Sequence, residues 1–401
     1  MLNLDSIYKA SFVLKEVARC TDLLRAPRMF PNDDVYIKTE NLQITGSFKV
    51  RGAYYKMSTL SEESKKKGVV ACSAGNHAQG VALAAKRQNI DALICIPEGA
   101  PISKVEATRG YGATVELVPG VYDDAYQRAL TIAKETGRTM IHPFDDDEVI
   151  AGQGTIGLEI LTQCPQVDQI IVPIGGGGLI SGLAYAVKAL KPDCKIIGVQ
   201  ASGAPSMLQA IKDGKIETLN NVNTIADGIA VKRPGDNTFN YCSKYVDEIV
   251  TVTDDEIANA ILTLMEKQKL IAEGAGAVPL AAAQSGKIDL KGKKTVCLVS
   301  GGNIDVKILS RVISRGLAMQ GRSVSLTFEV QDKPYQLADI SHIVAQEGAN
   351  VVSVLHDRET ARSGITKCLL NLGLETRDFS HIHQVCEALT KAGFIILEKS
   401  K

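Results

Sequence analysis

The stretch Ile170-Ile171-Val172-Pro173-Ile174-Gly175-Gly176-Gly177-Gly178-Leu179-Ile180-Ser181-Gly182-Leu183 decides the fold class. A short, uninterrupted apolar run is followed by a glycine turn and then by an apolar helical segment. A strand with no polar face is buried on both sides, as in a parallel sheet covered by helices. Glycine lets consecutive backbone amides converge on an anion, and the start of a helix adds partial positive charge. A tight strand-to-helix turn is the plainer account of the same glycines. No Lys-Ser or Lys-Thr follows them, so the pattern excludes a nucleoside-triphosphate loop.

Working outward, further apolar runs cover 68–72, 92–96, 114–118, 196–200 and 295–299, and a helix starts near Asn76. Short buried strands alternating with amphipathic helices predict an α/β protein. Its strands form two groups split near residue 140, hence two parallel-sheet lobes with a cleft between them. Ligands of open α/β sheets sit in such clefts. Near Arg315-Gly316 the pattern changes. Strand 324–330, the turn Asp332-Lys333-Pro334, helix 337–347, strands 351–356 and 367–376, helix 380–392 and strand 394–398 give a βαββαβ, ferredoxin-like order. The expected domains are 1–320, with a small lobe of about 40–140 inserted in the large one, and 324–401.

The 401 residues imply two or three domains. A net charge of zero argues against nucleic acid or anionic membrane as partner. No apolar stretch reaches the ~20 residues of a membrane span, and the start of the chain does not read as a signal peptide. Cys72, Cys95 and Cys297 lie in apolar runs and no Cys-x-x-Cys occurs, so the nine cysteines read as reduced thiols of a cytoplasmic protein.

Chemistry concentrates in Thr39-Glu40-Asn41-Leu42-Gln43-Ile44-Thr45-Gly46-Ser47-Phe48-Lys49-Val50-Arg51-Gly52-Ala53. Most lysines are solvated, but Lys49 has apolar neighbours, and Thr45, Gly46 and Ser47 are suited to cap and open a helix. Desolvation would lower its pKa and free a nucleophilic amine. Asn76 is suited to cap its own helix, and Ser300 to cap the next one.

Ser47-Phe48-Lys49 with Asn41 and Arg51-Gly52-Ala53 resembles the cofactor-lysine motif of the threonine dehydratases (threonine ammonia-lyases), which have the tryptophan-synthase-β (type II) pyridoxal phosphate fold. The similarity continues through Ser73-Ala74-Gly75-Asn76-His77-Ala78-Gln79-Gly80, Gly175-Gly176-Gly177-Gly178-Leu179, Ala226-Asp227-Gly228-Ile229-Ala230-Val231, Ala272-Glu273-Gly274-Ala275-Gly276-Ala277 and Ser300-Gly301-Gly302-Asn303, in the family's order. It implies that Lys49 binds pyridoxal phosphate covalently and moves the substrate α-proton. Phe48 would pack near the cofactor ring or simply in the core. Asn76 would face the 3′-oxygen, Gly175, Gly176, Gly177, Gly178 and Leu179 the phosphate, and Ser300 the pyridine nitrogen. Ser73, Ala74, Gly75, Asn76 and His77 would hold the substrate carboxylate; Glu273 has no assigned role. The family's usual Thr-Pro-Leu is here Thr21-Asp22-Leu23-Leu24, which lacks the proline.

The implied activity is β-elimination of L-threonine, and less well L-serine, in isoleucine biosynthesis or threonine catabolism. A serine racemase or serine dehydratase of the same fold, an inactive amino-acid sensor and a nucleotide-binding module are the alternatives. Residues from about 324 to 401 resemble an ACT domain, implying an amino-acid or nucleotide effector and a homodimer or homotetramer. Many ACT domains have Pro-Gly where this chain has Pro334-Tyr335; Tyr335 could fill the effector space, which leaves an effector site and a purely structural, oligomer-forming role both open. His356, His381 and His383 read as surface residues with no metal-site spacing, and no metal is expected.

Overall fold

A computed structural model describes residues 2–358 and 366–400. The chain divides into two compact units, Met1–Asp305 and Val306–Lys401. The helix Val306–Met319 therefore falls in the second unit, whereas the sequence reading ends the first domain at 320.

The first unit is built on two sheets. One orders its strands Thr114–Val118, Ala92–Pro97, Val69–Cys72, Thr139–Met140, all parallel. The other runs Leu23–Arg25, Val35–Thr39, Thr295–Val299, Gln169–Pro173, Lys195–Ala201, Glu248–Val252. Only its outer pair, Leu23–Arg25 with Val35–Thr39, is antiparallel. Val69–Cys72, Gln169–Pro173 and Thr295–Val299 are buried along their whole length, as strands covered on both faces must be. The runs of these central strands are those marked by the sequence. Val35–Thr39 and Glu248–Val252 are not, because Lys38 and Glu248 interrupt their apolar pattern.

Close backbone contacts fix the helices that carry the site. A Cβ on Gly52, in the helix Lys49–Ser58, would lie 2.7 Å from the carbonyl of Val149 in Asp147–Gln163. One on Gly152 would meet the Arg51 carbonyl at 2.7 Å. On the far side of Asp147–Gln163, a side chain on Gly182 would collide with the Ile150 carbonyl. Gly182 belongs to Gly178–Leu190, the helix that follows the tetraglycine turn. Three helices in near contact thus set the distance between Lys49 and that turn.

Arg51 anchors the same helix from its other face. It is 1% exposed, and it donates to Glu40 Oε1 and Oε2 at 2.8 Å each and to Glu159 Oε1 at 2.6 Å. Lys38, fully buried, donates to Glu159 Oε2 at 2.6 Å and to the Thr21 carbonyl at 2.7 Å. Thr21 Oγ1 in turn donates to Glu40 Oε1 at 2.6 Å. Burial alone would raise the Glu40 pKa, but the Arg51 guanidinium and its hydrogen bonds hold it below the usual carboxylate range. Thr21 thus has a structural task that needs no following proline.

The second unit pairs its strands Asn350–Asp357, Lys367–Glu375, Ser323–Gln331 and Ile395–Ser400 in that order, all antiparallel. The helices Gln336–Gln346 and Phe379–Lys391 complete the βαββαβ order. Ser323–Gln331 and Lys367–Glu375 alternate half-buried and buried positions, the period-2 pattern of a sheet with one face in a core. That core is Phe328, Leu370, Leu372 and Ile340 with their neighbours.

Removing one member of a buried ion pair strands the other without solvent or partner. Arg51→Met is expected to cost ~3–5 kcal/mol, measured by urea denaturation of the first unit's signal. Arg51→Met with Glu40→Gln is expected to recover part of that loss. A single substitution costing under ~1 kcal/mol would contradict the anchoring role.

Candidate active site

Lys49 is the first residue of its helix, and Phe48 occupies the cap position without a side-chain cap bond. The expected Thr45–Ser47 cap is therefore absent. Gly46 turns the chain at φ +70°, and Ser47 instead forms an antiparallel bridge with Gly301. Phe48 N donates to the Ser300 carbonyl at 3.1 Å and Gly302 N to the Gly46 carbonyl at 2.9 Å. These bonds hold the lysine segment against the end of the strand Thr295–Val299. Gly80 closes another side: a Cβ there would stand 3.0 Å from the Lys49 carbonyl carbon and 3.2 Å from its Cβ.

Lys49 Nζ donates to the Pro143 carbonyl at 2.8 Å and lies 5.2 Å from the centre of the Phe48 ring. The side chain is half-buried, as befits a cleft wall. Burial lowers its pKa to about 8, and the Glu273 carboxylate only partly opposes that shift. Phe144, next to Pro143, packs against the tetraglycine turn at Gly176 and Gly178. A side chain on Gly176 would collide with its ring, and a Cβ on Gly178 would sit 2.6 Å from its carbonyl. Gly177 has φ +97°, a backbone angle that favours glycine. Ser181 N makes its bond back to the Gly177 carbonyl at 2.9 Å. The N–H groups of Gly178, Leu179 and Ile180 precede it and have no carbonyl to reach within the helix, the usual condition of a helix start. Leu179 is buried and joins the core of the large sheet.

Asn76 does not cap its helix. Gly75 holds the cap position, and Asn76 is the first helical residue. Its side chain faces across the cleft, donating to Glu273 Oε1 at 2.7 Å and accepting from Asn303 Nδ2 at 2.8 Å. Asn303 also donates to the Thr45 carbonyl at 2.7 Å. Ser300 is 3% exposed, and the following helix begins only at Val306, so it caps nothing. Burial raises the Glu273 pKa to about 7, with Asp227 adding to the rise and Lys104, Asn76 and Lys49 opposing it. Gly228 and Gly301 leave room for that carboxylate: a Cβ on Gly228 would be 3.5 Å from its Oε1, and Gly301 admits no side chain beside it. A Cβ on Gly175 would meet Ile229 Cα at 3.0 Å, which links this group back to the glycine turn.

In the segment 73–77, Ser73 N donates to the Cys95 carbonyl at 3.2 Å and Gly75 N to Ser73 Oγ at 3.1 Å. The N–H groups of Asn76 and His77 stand at the helix start, where no carbonyl within the helix can reach them. The His77 side chain is turned away: 3% exposed, its Nε2 lies 2.8 Å from the Ile141 carbonyl. Burial and the nearby Lys49 charge lower its pKa to about 3, so the ring is neutral. The sequence reading missed Pro143, Phe144 and Asn303, and it gave Glu273 no role. Glu273 and Asn303 stand in quoted motifs, but their partner lies 197 and 227 residues away in the chain.

A lysine amine of lowered pKa at the head of a helix, bonded to the Pro143 carbonyl beside the Phe144 that packs on a glycine turn, is the makeup of a lysine-bearing cofactor site. The family model for pyridoxal-phosphate dependent enzymes matches residues 14–302, and this chain belongs to that family. It is 48% identical over 396 residues to the L-threonine ammonia-lyase of Thermotoga maritima, covering 98% of each chain. Among solved structures, the processed form of threonine deaminase isoform 2 from Solanum lycopersicum matches with TM-score 0.74 and 40% identity, over 78% of this chain and 89% of that one. Maize serine racemase also matches with TM-score 0.74, at 37% identity, over 79% of this chain and 98% of that one. The residues present fit pyridoxal phosphate: an amine of lowered pKa for its aldehyde, and a glycine cradle with helix-start N–H groups for its phosphate.

In the second unit Tyr335 adopts φ +75° and is 78% exposed. It does not fill the space it could have taken, because the left-handed backbone turns the side chain outward. A cavity of about 730 Å³ opens beside it, bounded by Val330, Asp332, Leu337, His356 and Leu370. His381 is not a surface residue: it is 2% exposed, with Nε2 2.9 Å from the Glu347 carbonyl. All nine cysteines are free thiols, seven of them buried. No helix is long and apolar enough to cross a membrane among the described residues.

In cofactor-stripped protein, acylation of Lys49 read by peptide mass spectrometry is expected to rise through a midpoint near pH 8 rather than 10.5. Below the midpoint the ammonium form dominates and does not react. A midpoint at or above that of surface lysines would show that the amine is solvated.

Proposed function

We propose that this chain is an L-threonine ammonia-lyase that converts L-threonine, and more slowly L-serine, to 2-oxobutanoate or pyruvate with ammonia. The observation that carries this reading is the near-complete match to an L-threonine ammonia-lyase, which extends over both units. Serine racemisation is the second reading, favoured by the match of maize serine racemase to 79% of this chain.

In this reading Lys49 holds the cofactor and then, as a neutral amine, takes the α-proton. Pyridoxal phosphate, when bound, supplies the sink for the electron pair left at that carbon. Backbone N–H groups of Asn76 and His77, at the start of their helix, hold the substrate carboxylate alongside Ser73, Ala74 and Gly75. Those of the Gly175–Leu179 turn hold the phosphate. The Asn76 amide, already fixed by Glu273 and Asn303, would face the 3′-oxygen. The Ser300 hydroxyl, which carries no charge, would face the ring nitrogen, and the β-hydroxyl leaves as water, its proton balanced by the one that Lys49 takes from the α-carbon. Phe48, packed against the core of the large sheet, would stand near the ring. After elimination the freed enamine tautomerises to an imine, and water hydrolyses it to the 2-oxo acid and ammonia.

The same proposal covers action in the cytoplasm, assembly as a homodimer or homotetramer and an ACT-like effector role for the second unit. Val352, Val354 and Leu355 on its outer strand are exposed, and an apolar sheet edge of this kind is a pairing surface. The cavity beside Tyr335 has room for an amino acid.

Lys49→Ala is expected to abolish both the cofactor's absorbance and 2-oxobutanoate formation from L-threonine. Retention of either would refute the assignment. Isoleucine or valine is expected to shift the L-threonine dependence of turnover together with the sedimentation of the holoenzyme. No change in either would remove the effector role.

A further inference from the structure

We propose that Asp332, His356 and Cys368 form a site for a divalent transition-metal ion of the zinc class in the second unit. The three residues come from three adjacent strands or their ends, Ser323–Gln331, Asn350–Asp357 and Lys367–Glu375. Asp332 directly follows the first of these strands, and Cys368 pairs in register with Val330 within it. The ligating atoms all lie within 4.8 Å of one another. His356 Nε2 is 3.0 Å from Cys368 Sγ and 3.9 Å from Asp332 Oδ1. Ligands on a tetrahedral zinc ion stand about 3.3–3.6 Å apart, given bonds of roughly 2.0–2.3 Å, so His356 and Cys368 move slightly apart and Asp332 slightly inward to take the ion, movements open to the two exposed side chains, His356 and Asp332.

The donor set selects the ion. One imidazole nitrogen, one sulfur and one carboxylate oxygen suit zinc or cobalt, whereas magnesium and calcium take oxygen ligands. Cys368 is 1% exposed, so its thiol points into the fold beside the other two rather than into solvent. Burial and the Asp332 charge raise its pKa, with Arg358 opposing, and a bound cation would reverse that balance. Arg358 Nε lies 3.2 and 3.1 Å from the two Asp332 oxygens. Its side chain is 64% exposed, and such a pair is weak. One carboxylate oxygen can therefore turn to the metal while Arg358 keeps the other. Three protein ligands leave a fourth position open, and all three residues line the 730 Å³ cavity. A small carboxylate or amine in that cavity completes the coordination. The spacing of the histidines alone gave no hint of this, because the cysteine and aspartate meet His356 only through sheet pairing.

The test loads the full-length holoenzyme with Zn²⁺, removes excess metal on a chelating resin and measures retained zinc by plasma mass spectrometry. X-ray absorption at the zinc edge then reads the ligands. About one zinc per chain is expected, with one sulfur near 2.3 Å and nitrogen or oxygen at roughly 2.0–2.1 Å. Cys368→Ser is expected to remove the sulfur contribution. His356→Gln, at an exposed position, is expected to weaken binding by more than the roughly 10–100-fold that losing an outer partner costs. Both variants are expected to keep L-threonine turnover without added effector, and the far-ultraviolet circular dichroism and urea midpoint of the unaltered protein, which report on the second unit. No retained zinc in the unaltered protein, or an unchanged sulfur contribution in Cys368→Ser, overturns the proposal.

Discussion

The first unit depends on keeping one amine in a place where its charge is disfavoured. An ammonium group in water is stable and unreactive, so a lysine of useful pKa needs protein around it on several sides. Here these are the Gly80 face, the Pro143 carbonyl and the bridge from Ser47 to Gly301. The helix that presents Lys49 resists relaxation toward solvent because Gly52 and Gly152 bring its backbone against Asp147–Gln163. Arg51, two residues further on, is tied to Glu40 and Glu159 below the surface. Charges buried as a satisfied network hold position well even where they add little net stability.

The opposite wall of the cleft works by hydrogen bonds rather than desolvation. Asn76 is held through both ends of its amide, which fixes the direction in which it donates and accepts. Glu273, with a pKa near 7, adjusts its charge at little cost as the charge on Lys49 changes. The two ionisable groups influence one another, each shifting the other's pKa toward its ordinary value. Neither value would survive transplantation to an exposed helix.

Much of the fold was legible because buried parallel strands leave uninterrupted apolar runs. Thr114–Val118 and Thr295–Val299 have the bounds their sequence suggests. Val35–Thr39 was hidden because its Lys38 reads as a surface residue until Glu159, Gln163 and the Thr21 carbonyl are brought to it. Capping was misjudged at three places, Ser47, Asn76 and Ser300. Each has a residue type that favours a helix start, yet each is drawn into a tertiary contact or lies away from the helix end. Tyr335 was misjudged for a related reason: its size suggested a filled pocket, but its backbone angle sends the ring to solvent.

By itself the sequence determined the alternation of strands and helices, the separate βαββαβ module and the residue types that could do the chemistry. These are local properties, set by periodicity, turn residues and short motifs. Tertiary structure alone decided that Lys49 meets Pro143, that Glu273 reaches Asn76 over a sequence separation of 197, and that Asp332, His356 and Cys368 converge at one end of a sheet. Burial and long-range pairing, which set the pKa values and the donor geometry, exist only once distant segments have packed together.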